Sequence, residues 1–228
     1  MSTHRDQALL KDVREVIEDR VPAATGLPLD VRGGVAHIGG RVADRKTLSR
    51  LHCVVARVRG VHAVWAVVQV QGEPPLRILD VGCGGRKQVE RAIGIDRHPH
   101  PGVDVVADLE RTMPIADQSI DHVFAVHFLE HVHNLLPLLN ELHRVLRPQG
   151  VLHVMVPSHA HVNALADPTH VRFFHQQTFK FFCRPAPGLR IFYPLGISAS
   201  ADNIYADLQP VGEHQAPPGE EDLARFFD

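Results

Sequence analysis

The sequence is poor in the residues that mark disulfide-bonded, metal-clustered or membrane-bound proteins. It has three cysteines, Cys53, Cys83 and Cys183, among 228 residues. An odd number of widely spaced cysteines favours reduced thiols over a disulfide framework or a zinc cluster. No apolar stretch follows the polar first residues, so we expect no signal peptide, no membrane insertion and a cytoplasmic location.

An excess of charge of one sign is also lacking. The formal net charge is -2, and acidic and basic residues are interspersed. Because no strong field would draw such a chain to nucleic acid or anionic lipid, we expect no nucleic-acid partner. Histidine is instead abundant, at 17 residues. Most of these should be single surface or packing residues unless the fold gathers them.

Residues 1–71 have the pattern of a small α+β unit. Apolar spacing predicts helices over residues 6–20 and 45–59, and strands over residues 27–31, 35–42 and 61–70. The pair Gly33-Gly34 predicts a tight hairpin between the first two strands. At roughly seventy residues, this unit is near the lower limit for independent stability.

Two stretches of this unit carry a recognisable pattern of a glycine-ended strand, a helix, glycine-valine and a strand. They are Val35-Ala36-His37-Ile38-Gly39-Gly40-Arg41-Val42 and Val58-Arg59-Gly60-Val61-His62-Ala63-Val64. Together they resemble a BON domain. The resemblance implies a binding or interaction module, through which the chain would bind a protein partner or form a homo-oligomer. We favour the simpler interpretation, a structural or oligomerising appendage. Residues 72–75, which contain Gly72 and two prolines, predict a linker after it.

The rest of the chain is organised around an apolar strand that breaks into glycines at residues 76–85. Glycine allows backbone angles closed to other residues and lets a ligand approach the main chain. Later in the chain a second apolar run ends on Asp96. A carboxylate at that place can accept two hydrogen bonds from ribose hydroxyls.

Two nucleotide-binding motifs are missing from this glycine turn. The dinucleotide motif G-x-G-x-x-G needs a small sixth residue, but Lys87 stands there, and G-x-x-x-x-G-K-[ST] does not occur. What remains is an acidic residue before a glycine turn, which suits a ligand with an ammonium and a sulfonium. The stretch Asp80-Val81-Gly82-Cys83-Gly84 resembles motif I of class I S-adenosylmethionine-dependent methyltransferases.

Further stretches match this methyltransferase family in the expected order, over about residues 76–208. They are Ile93-Gly94-Ile95-Asp96, residues 105–109, residues 114–123, Phe128-Leu129-Glu130-His131-Val132 and residues 144–152. The resemblance implies a Rossmann-like α/β domain over residues 76–211, with a mostly parallel sheet and an antiparallel last strand. The acidic, proline-containing residues 212–228 predict a flexible tail.

The connection after motif I departs from the family pattern. About ten residues separate the first strand from the second, fewer than the dozen or more that a βαβ crossover needs. We therefore expect the usual helix to be shrunken or replaced by a turn. In this the chain resembles a subgroup of small bacterial methyltransferases that also carry Asp-Pro-Thr-His, here Asp167-Pro168-Thr169-His170.

The resemblance also implies which residues bind S-adenosylmethionine. The family pattern assigns the methionine end to Asp80, Gly82 and Gly84, the ribose to Asp96, and the adenine to Asp108 with the Leu109 backbone. Cys83 belongs to the same loop and is expected to be a small packing residue rather than a nucleophile.

Histidines supply the candidates for catalysis. His127 follows the fourth strand and should face the crevice beyond the carboxyl ends of the strands. It is a candidate general base, because imidazole titrates near neutral pH, although it equally fits a strand cap or a ring stacked on the cofactor. His131 and His170 are further candidates. The three histidines could also form a metal site, but packing at the start of a helix explains the pair Glu130-His131 better, and we assign no metal.

The predicted function is methyl transfer from S-adenosylmethionine to an oxygen or nitrogen of a small molecule. One alternative is a cofactor-binding regulatory or scaffold protein whose BON-like module binds a partner. The other is a protein or nucleic-acid methyltransferase. Against the latter, Ala125-Val126-His127-Phe128 stands where an amino-methylating Asn/Asp-Pro-Pro-aromatic motif would be expected.

Overall fold

The structure is a computed structural model that describes residues 3–212 and 214–227. The chain divides into two compact units, Met1–Leu76 and Arg77–Asp228. Across the described ranges, none of the helices combines the length and the apolar character needed to cross a bilayer.

The first unit packs two helices on short strands. Its elements are α1 (His4–Arg20), β1 (Leu29–Arg32), β2 (Val35–Ile38), β3 (Arg41–Val42), α2 (Arg45–Val55), β4 (Ala63–Ala66) and β5 (Gln69–Val70). The strands form two sheets, ordered β1-β2-β4 and β3-β5. The predicted hairpin is confirmed, since β1 and β2 pair antiparallel across Gly33 and Gly34 at positive φ. Each of the two longer predicted strands is divided, and Gly40, at φ 93°, turns the chain between β2 and β3.

Helix α1 begins where its sequence offers reciprocal capping. The Thr3 hydroxyl accepts the N–H of Asp6, and the Asp6 carboxylate accepts the N–H of Thr3, which satisfies free donors of the first turn. The same carboxylate accepts the N–H of Gly34. Leu9, Val13 and Ile17, one face of the helix, are buried. The helix start is therefore tied to the hairpin as well as to the core.

The second unit is a seven-stranded sheet with helices packed on it. Its strands are β6 (Ile78–Val81), β7 (Ile93–Asp96), β8 (Val105–Val106), β9 (Ile120–Val126), β10 (Leu146–Pro157), β11 (Phe192–Ala199) and β12 (Asn203–Pro210). Its helices are α3 (Leu135–Val145), α4 (Val162–Ala166), α5 (Gln176–Phe182) and α6 (Glu220–Phe227). The strand order is β11-β12-β10-β9-β6-β7-β8. Only β12 runs antiparallel to its neighbours, so the predicted mostly parallel sheet is confirmed.

The connection from β6 to β7 is a series of turns. No helix occurs there among the described residues, so the expected replacement of the helix by a turn is confirmed. The turn is held by the Asp80 carboxylate, which accepts the N–H of Gln88, and by an ion pair between Lys87 and Asp104. Packing is tight where it meets β7, because a Cβ on Gly94 would lie 2.3 Å from the Gly102 carbonyl oxygen.

The predicted flexible tail is wrong over Glu220–Phe227, which forms α6. Leu223 and Phe227 are buried in the main core of the unit. The acidic residues that suggested a solvated tail, Glu220, Glu221 and Asp222, occupy the first turn of the helix, where the helix dipole favours negative charge. Glu213 and Asp228, also within the predicted tail, lie outside the described residues.

The predicted linker at residues 72–75 is attached to the first unit. The Gln69 side-chain amide donates to the carbonyls of Val70, Glu73 and Pro74. Arg45 of α2 donates two hydrogen bonds to the Glu73 carboxylate. These residues therefore belong to the first unit, which ends at Leu76.

Candidate functional site

Two cavities lie at the carboxyl ends of the parallel strands. Strands β7 and β9 flank β6 on opposite sides, which makes the end of β6 the switch point where ligands of such sheets bind. The glycine-loop cavity, of about 660 Å³, is lined by residues that include Gly82, Asp96, Asp108, Leu109 and His127. The histidine cavity, of about 770 Å³, is lined by residues that include His127, Glu130, His131, His161 and His170.

The predicted site residues are thus divided between the two cavities and the loop behind them. His127 and His131 line both cavities, whereas His170 lines the histidine cavity. Asp80, Cys83 and Gly84 are not among the lining residues of the glycine-loop cavity. They lie in the loop that forms the wall of this cavity.

Asp96 connects the glycine loop to the end of β7. One carboxylate oxygen accepts the N–H of Gly84 at 3.0 Å, and the other accepts the N–H of His98 at 3.0 Å. A carboxylate offers about four lone-pair directions, so each oxygen retains room for a ligand hydroxyl. The position and the free acceptors suit a ribose.

Asp80 has a buried carboxylate, and burial destabilises its charged form. The residue is 2% exposed, and its carboxylate accepts the N–H of Gln88 at 2.5 Å. Burial raises the pKa of Asp80 to about 6, against the opposing effects of the Gln88 bond and Lys87. A cationic ligand group would relieve this destabilisation.

Cys83 is held as a packed thiol. Its sulfur lies 3.5 Å from the Gly102 carbonyl oxygen, to which the thiol donates. Burial, followed by the nearby carboxylates of Asp80 and Asp96, raises the pKa of Cys83 to about 11. A thiol of that pKa is a poor nucleophile at neutral pH, which agrees with the packing role expected from the sequence.

Phe128 forms a wall of the glycine-loop cavity that was not predicted from the sequence. Gly82 has φ 66°, and a Cβ built on it would lie 2.2 Å from the Phe128 ring. The ring therefore lies directly against the Gly82 main chain. An aromatic residue immediately after His127 was the available signal, but only the fold shows that it reaches the glycine turn.

His127 has a backbone conformation that is uncommon for a residue with a side chain. Its φ is 51°, and its N–H donates to the Met155 carbonyl at 2.8 Å. Histidine is among the residues that tolerate this left-handed region best. Its ring lines both cavities, with Nδ1 3.4 Å from Oε1 of Glu130. Such strain is typical of functional positions.

Asp108 and its neighbour Glu110 close the far side of the glycine-loop cavity. Asp108 faces two guanidinium groups, Arg97 at 3.8 Å and Arg111 at 3.5 Å. The Glu110 carboxylate accepts the N–H groups of His133 and Asn134, which anchors the start of α3. Glu110 was not predicted, because its partners come from a distant part of the chain.

Comparison with known proteins agrees with this geometry. Residues 79–154 match the family model described as a methyltransferase domain. The second unit contains a methyltransferase domain. The match covers the strands that carry the glycine turn, Asp96 and His127, and it supports S-adenosylmethionine as the cofactor of this domain.

Individual proteins that resemble this chain have low sequence identity to it. A demethylmenaquinone methyltransferase from Chlorobaculum parvum is 28% identical in a 122-residue alignment that covers 43% of this chain and 51% of that protein. The structure of a SAM-dependent methyltransferase from Archaeoglobus fulgidus is 25% identical, with a TM-score of 0.39, over 46% of this chain and 57% of the other. One from Aquifex aeolicus is 18% identical, with a TM-score of 0.44, over 58% and 82%. The chain spans about half the length of the curated relative that it matches.

Asp80→Asn is expected to stabilise the methyltransferase domain in the absence of ligand and to weaken cofactor binding. The pKa of Asp80 is raised in the folded state, from 3.8 to about 6, so its contribution is most favourable below pH 3.8 and is lost as the pH rises through 6. Asparagine keeps an acceptor for Gln88 and removes the charge. Urea unfolding at pH 7 should show a gain of about 1–3 kcal/mol, which disappears near pH 4.

The matched control for this change is Asp104→Asn. Asp104 accepts the N–H of Gly94 and pairs with Lys87, and these bonds lower its pKa. Removing that charge should therefore lower stability at pH 7, opposite in sign to Asp80→Asn. Equal stability of the wild type and Asp80→Asn at pH 7 would show that the buried charge of Asp80 is already compensated.

Proposed function

We propose that the methyltransferase domain transfers a methyl group from S-adenosylmethionine to an oxygen or nitrogen of a small molecule. The observation that carries this proposal is the Asp96 carboxylate at the end of β7, bonded to the glycine loop and facing the switch-point cavity. The family match over residues 79–154 supports it independently.

The residues around the glycine-loop cavity fit this cofactor. Asp96 would bind its ribose hydroxyls, and Asp108 with the Leu109 backbone its adenine. Asp80, buried in the loop behind the cavity wall, would compensate the charge of its ammonium group. The cavity of about 660 Å³ is within the usual range of small-molecule sites, about 300–1,000 Å³. When bound, S-adenosylmethionine supplies an activated methyl group.

The chain's own task is then mainly alignment and exclusion of water. Phe128 covers the Gly82 main chain and restricts that side of the cavity. His127 lines both cavities, so its ring is placed to contact an acceptor in the histidine cavity and is our candidate for the group that accepts a proton. His131 lines both cavities as well and His170 lines the second, and we propose that both contact the acceptor side.

The cofactor half of the proposal is tested by calorimetric titration with S-adenosylmethionine and S-adenosylhomocysteine. Asp96→Ala should weaken binding by about 100-fold or more, because it removes two hydrogen bonds to a charged acceptor. The control is Asp117→Ala, which removes an exposed carboxylate paired with Arg144. Absence of binding to the wild type would contradict the proposal and favour the scaffold alternative.

The acceptor half is tested by measuring S-adenosylhomocysteine formation against a panel of hydroxyl and amine compounds. Demethylmenaquinone, the acceptor in the name of the curated relative, belongs in that panel. His127→Ala should lower turnover while cofactor affinity stays within a few fold, if the ring acts on the acceptor. A parallel loss of cofactor affinity would instead make His127 part of the cofactor site.

We further propose that the first unit is a BON-like binding module for a protein partner or a second copy of the chain. The order helix, strand, strand, helix, strand and the Gly33-Gly34 hairpin support this proposal. Sedimentation velocity of the full chain across a concentration range distinguishes the two, because only self-association makes the sedimentation coefficient depend on concentration.

A further inference from the structure

Three metal-ligating side chains meet at one wall of the histidine cavity. Glu130 and His131 lie in the short turn Leu129–His131 after β9, and His170 comes from the segment after α4. One ligand atom of each lies within 4.8 Å of the others. The rings of His131 and His170 are 4.8 Å apart at an angle of 65°, so they approach the same point from different directions.

Glu130 is buried without the partners that a buried carboxylate needs. Its side chain is 2% exposed, and in the described part of the chain neither carboxylate oxygen has a hydrogen-bond donor. Nδ1 of His127 lies 3.4 Å from Oε1 of Glu130. An uncompensated buried carboxylate is strongly unfavourable. A cation at this point would compensate it.

Hydrogen bonding leaves one nitrogen of each ring available to a cation. Nδ1 of His170 lies 3.0 Å from the Ala164 carbonyl, which can only accept, so Nδ1 carries the hydrogen and Nε2 has the lone pair. Oδ2 of Asp167 lies 3.8 Å from this Nε2, which is beyond hydrogen-bonding distance. The Thr169 hydroxyl gives its hydrogen to Asp167 at 2.6 Å. It therefore accepts from Nδ1 of His131 at 3.0 Å, and Nε2 of His131 is available as well.

The same segment is fixed to the turn that carries Glu130. The Glu130 carbonyl accepts the N–H of Val171 at 2.9 Å, and the Arg172 guanidinium donates to the Val132 carbonyl at 2.7 Å. We call residues 167–172 the strap. Ligand rings held by such outer contacts are typical of metal sites, where the second nitrogen of a histidine is oriented by a carbonyl or hydroxyl.

We propose that Glu130, His131 and His170 bind a divalent transition-metal ion of the zinc type, with its remaining positions open to the histidine cavity. Two imidazoles and a carboxylate form a donor set used for zinc and for ferrous iron. Ligands at about 2.1 Å from a tetrahedral ion are about 3.4 Å apart, so ligand atoms that lie up to 4.8 Å apart must approach one another by up to about 1.4 Å on binding. The open positions would take an oxygen, nitrogen or sulfur donor of a small molecule.

This inference is independent of the proposed function, because an ion can bind these residues without any cofactor. If both hold, a donor atom on the ion would lie beside the residues shared with the glycine-loop cavity, His127 and His131. The ion would then determine which acceptors bind, by selecting those with a metal-binding heteroatom.

The test uses the full chain without an affinity tag, stripped with a chelator and titrated with Zn²⁺ in a competing metal buffer. We expect one tightly bound zinc per chain by elemental analysis, and a visible ligand-field spectrum of low coordination number with Co²⁺. Glu130→Gln and His170→Ala should each weaken zinc binding by about 100-fold, and Thr169→Val, which frees the His131 ring, by about 10-fold. His133→Ala, an exposed histidine two residues from His131, should leave it unchanged.

Two outcomes would overturn the metal site. One is a stripped wild type that takes up no stoichiometric zinc, and the other is a loss in His133→Ala equal to that in His170→Ala, which would mean binding by dispersed surface histidines. Calorimetry with S-adenosylhomocysteine on the same samples tests the proposed function separately. A chain that binds this ligand but no zinc would contradict the metal site alone. Far-UV circular dichroism identifies a variant that has lost its fold, and Thr169→Val remains informative if Glu130→Gln does not fold.

Discussion

Gly82→Ala is expected to lower the free energy of unfolding of the methyltransferase domain by about 2–5 kcal/mol and to abolish cofactor binding. Two effects add at this residue. An alanine at φ 66° costs about 1–2 kcal/mol in the left-handed region. Its Cβ would also lie 2.2 Å from the Phe128 ring, and overpacking of this kind costs about 1–3 kcal/mol.

Gly84→Ala is the matched control, because it shares the unfavourable backbone conformation of Gly82→Ala but lacks the clash with a neighbouring side chain. Gly84 has φ 54°, but no described atom lies within 4 Å of the Cβ that it would acquire. Urea unfolding should therefore show a loss of about 1–2 kcal/mol only. Combining Gly82→Ala with Phe128→Ala should recover part of the loss. Equal losses at Gly82 and Gly84 would mean that Phe128 moves away freely.

Acid is expected to destabilise the same domain through His122, by about 3–5 kcal/mol between pH 6.5 and pH 3. His122 of β9 lies 3.0 Å from His153 of β10, which lies 2.7 Å from the Asp207 carboxylate of β12. Burial, followed by the charge of His153, lowers the pKa of His122 to about 3.

The sign of this dependence follows from the lowered pKa. The unfolded chain binds a proton at His122 below about pH 6.5 and the folded chain does not until about pH 3. Stability is therefore complete above pH 6.5 and falls by about 1.4 kcal/mol for each pH unit between these values. The Asp80 contribution has the opposite sign in part of this range, so the effect must be measured by comparing variants.

His122→Gln supplies that comparison, since glutamine can donate or accept at His153 but does not titrate. Unfolding followed by the two tyrosines, Tyr193 and Tyr205, reports on this domain, because Trp65 lies in the first unit. The variant should lose less stability than the wild type between pH 7 and pH 4. His214→Gln, at an exposed position, should follow the wild type. Parallel loss in His122→Gln and the wild type would place the acid sensitivity elsewhere.

Local chemistry explains which features could be predicted from the sequence. The Gly33-Gly34 hairpin, the parallel strands and the missing crossover helix depend on glycine conformation, apolar runs and chain length, all of which are local. The position of Asp96 at the end of β7 follows in the same way. These features can be predicted without knowing which distant residues are in contact.

The features that were missed depend on contacts between distant segments. Phe128 reaches Gly82 only because β9 lies beside β6. Glu130 looked like helix-start packing, and its unpartnered carboxylate is visible only once burial is known. Helix α6 was not predicted, because its buried apolar side chains, Leu223 and Phe227, are few and follow an acidic run.

The strap also has a consequence for sequence evolution and for protein engineering. Glu130-His131 and Asp167-Pro168-Thr169-His170 are far apart in the chain, but Thr169 contacts His131 and the Glu130 carbonyl binds Val171. A substitution in one stretch therefore removes contacts made by the other, and so changes which residues are favoured there. In related chains the two stretches should be retained or lost as a pair, and a graft that transfers only one should fail.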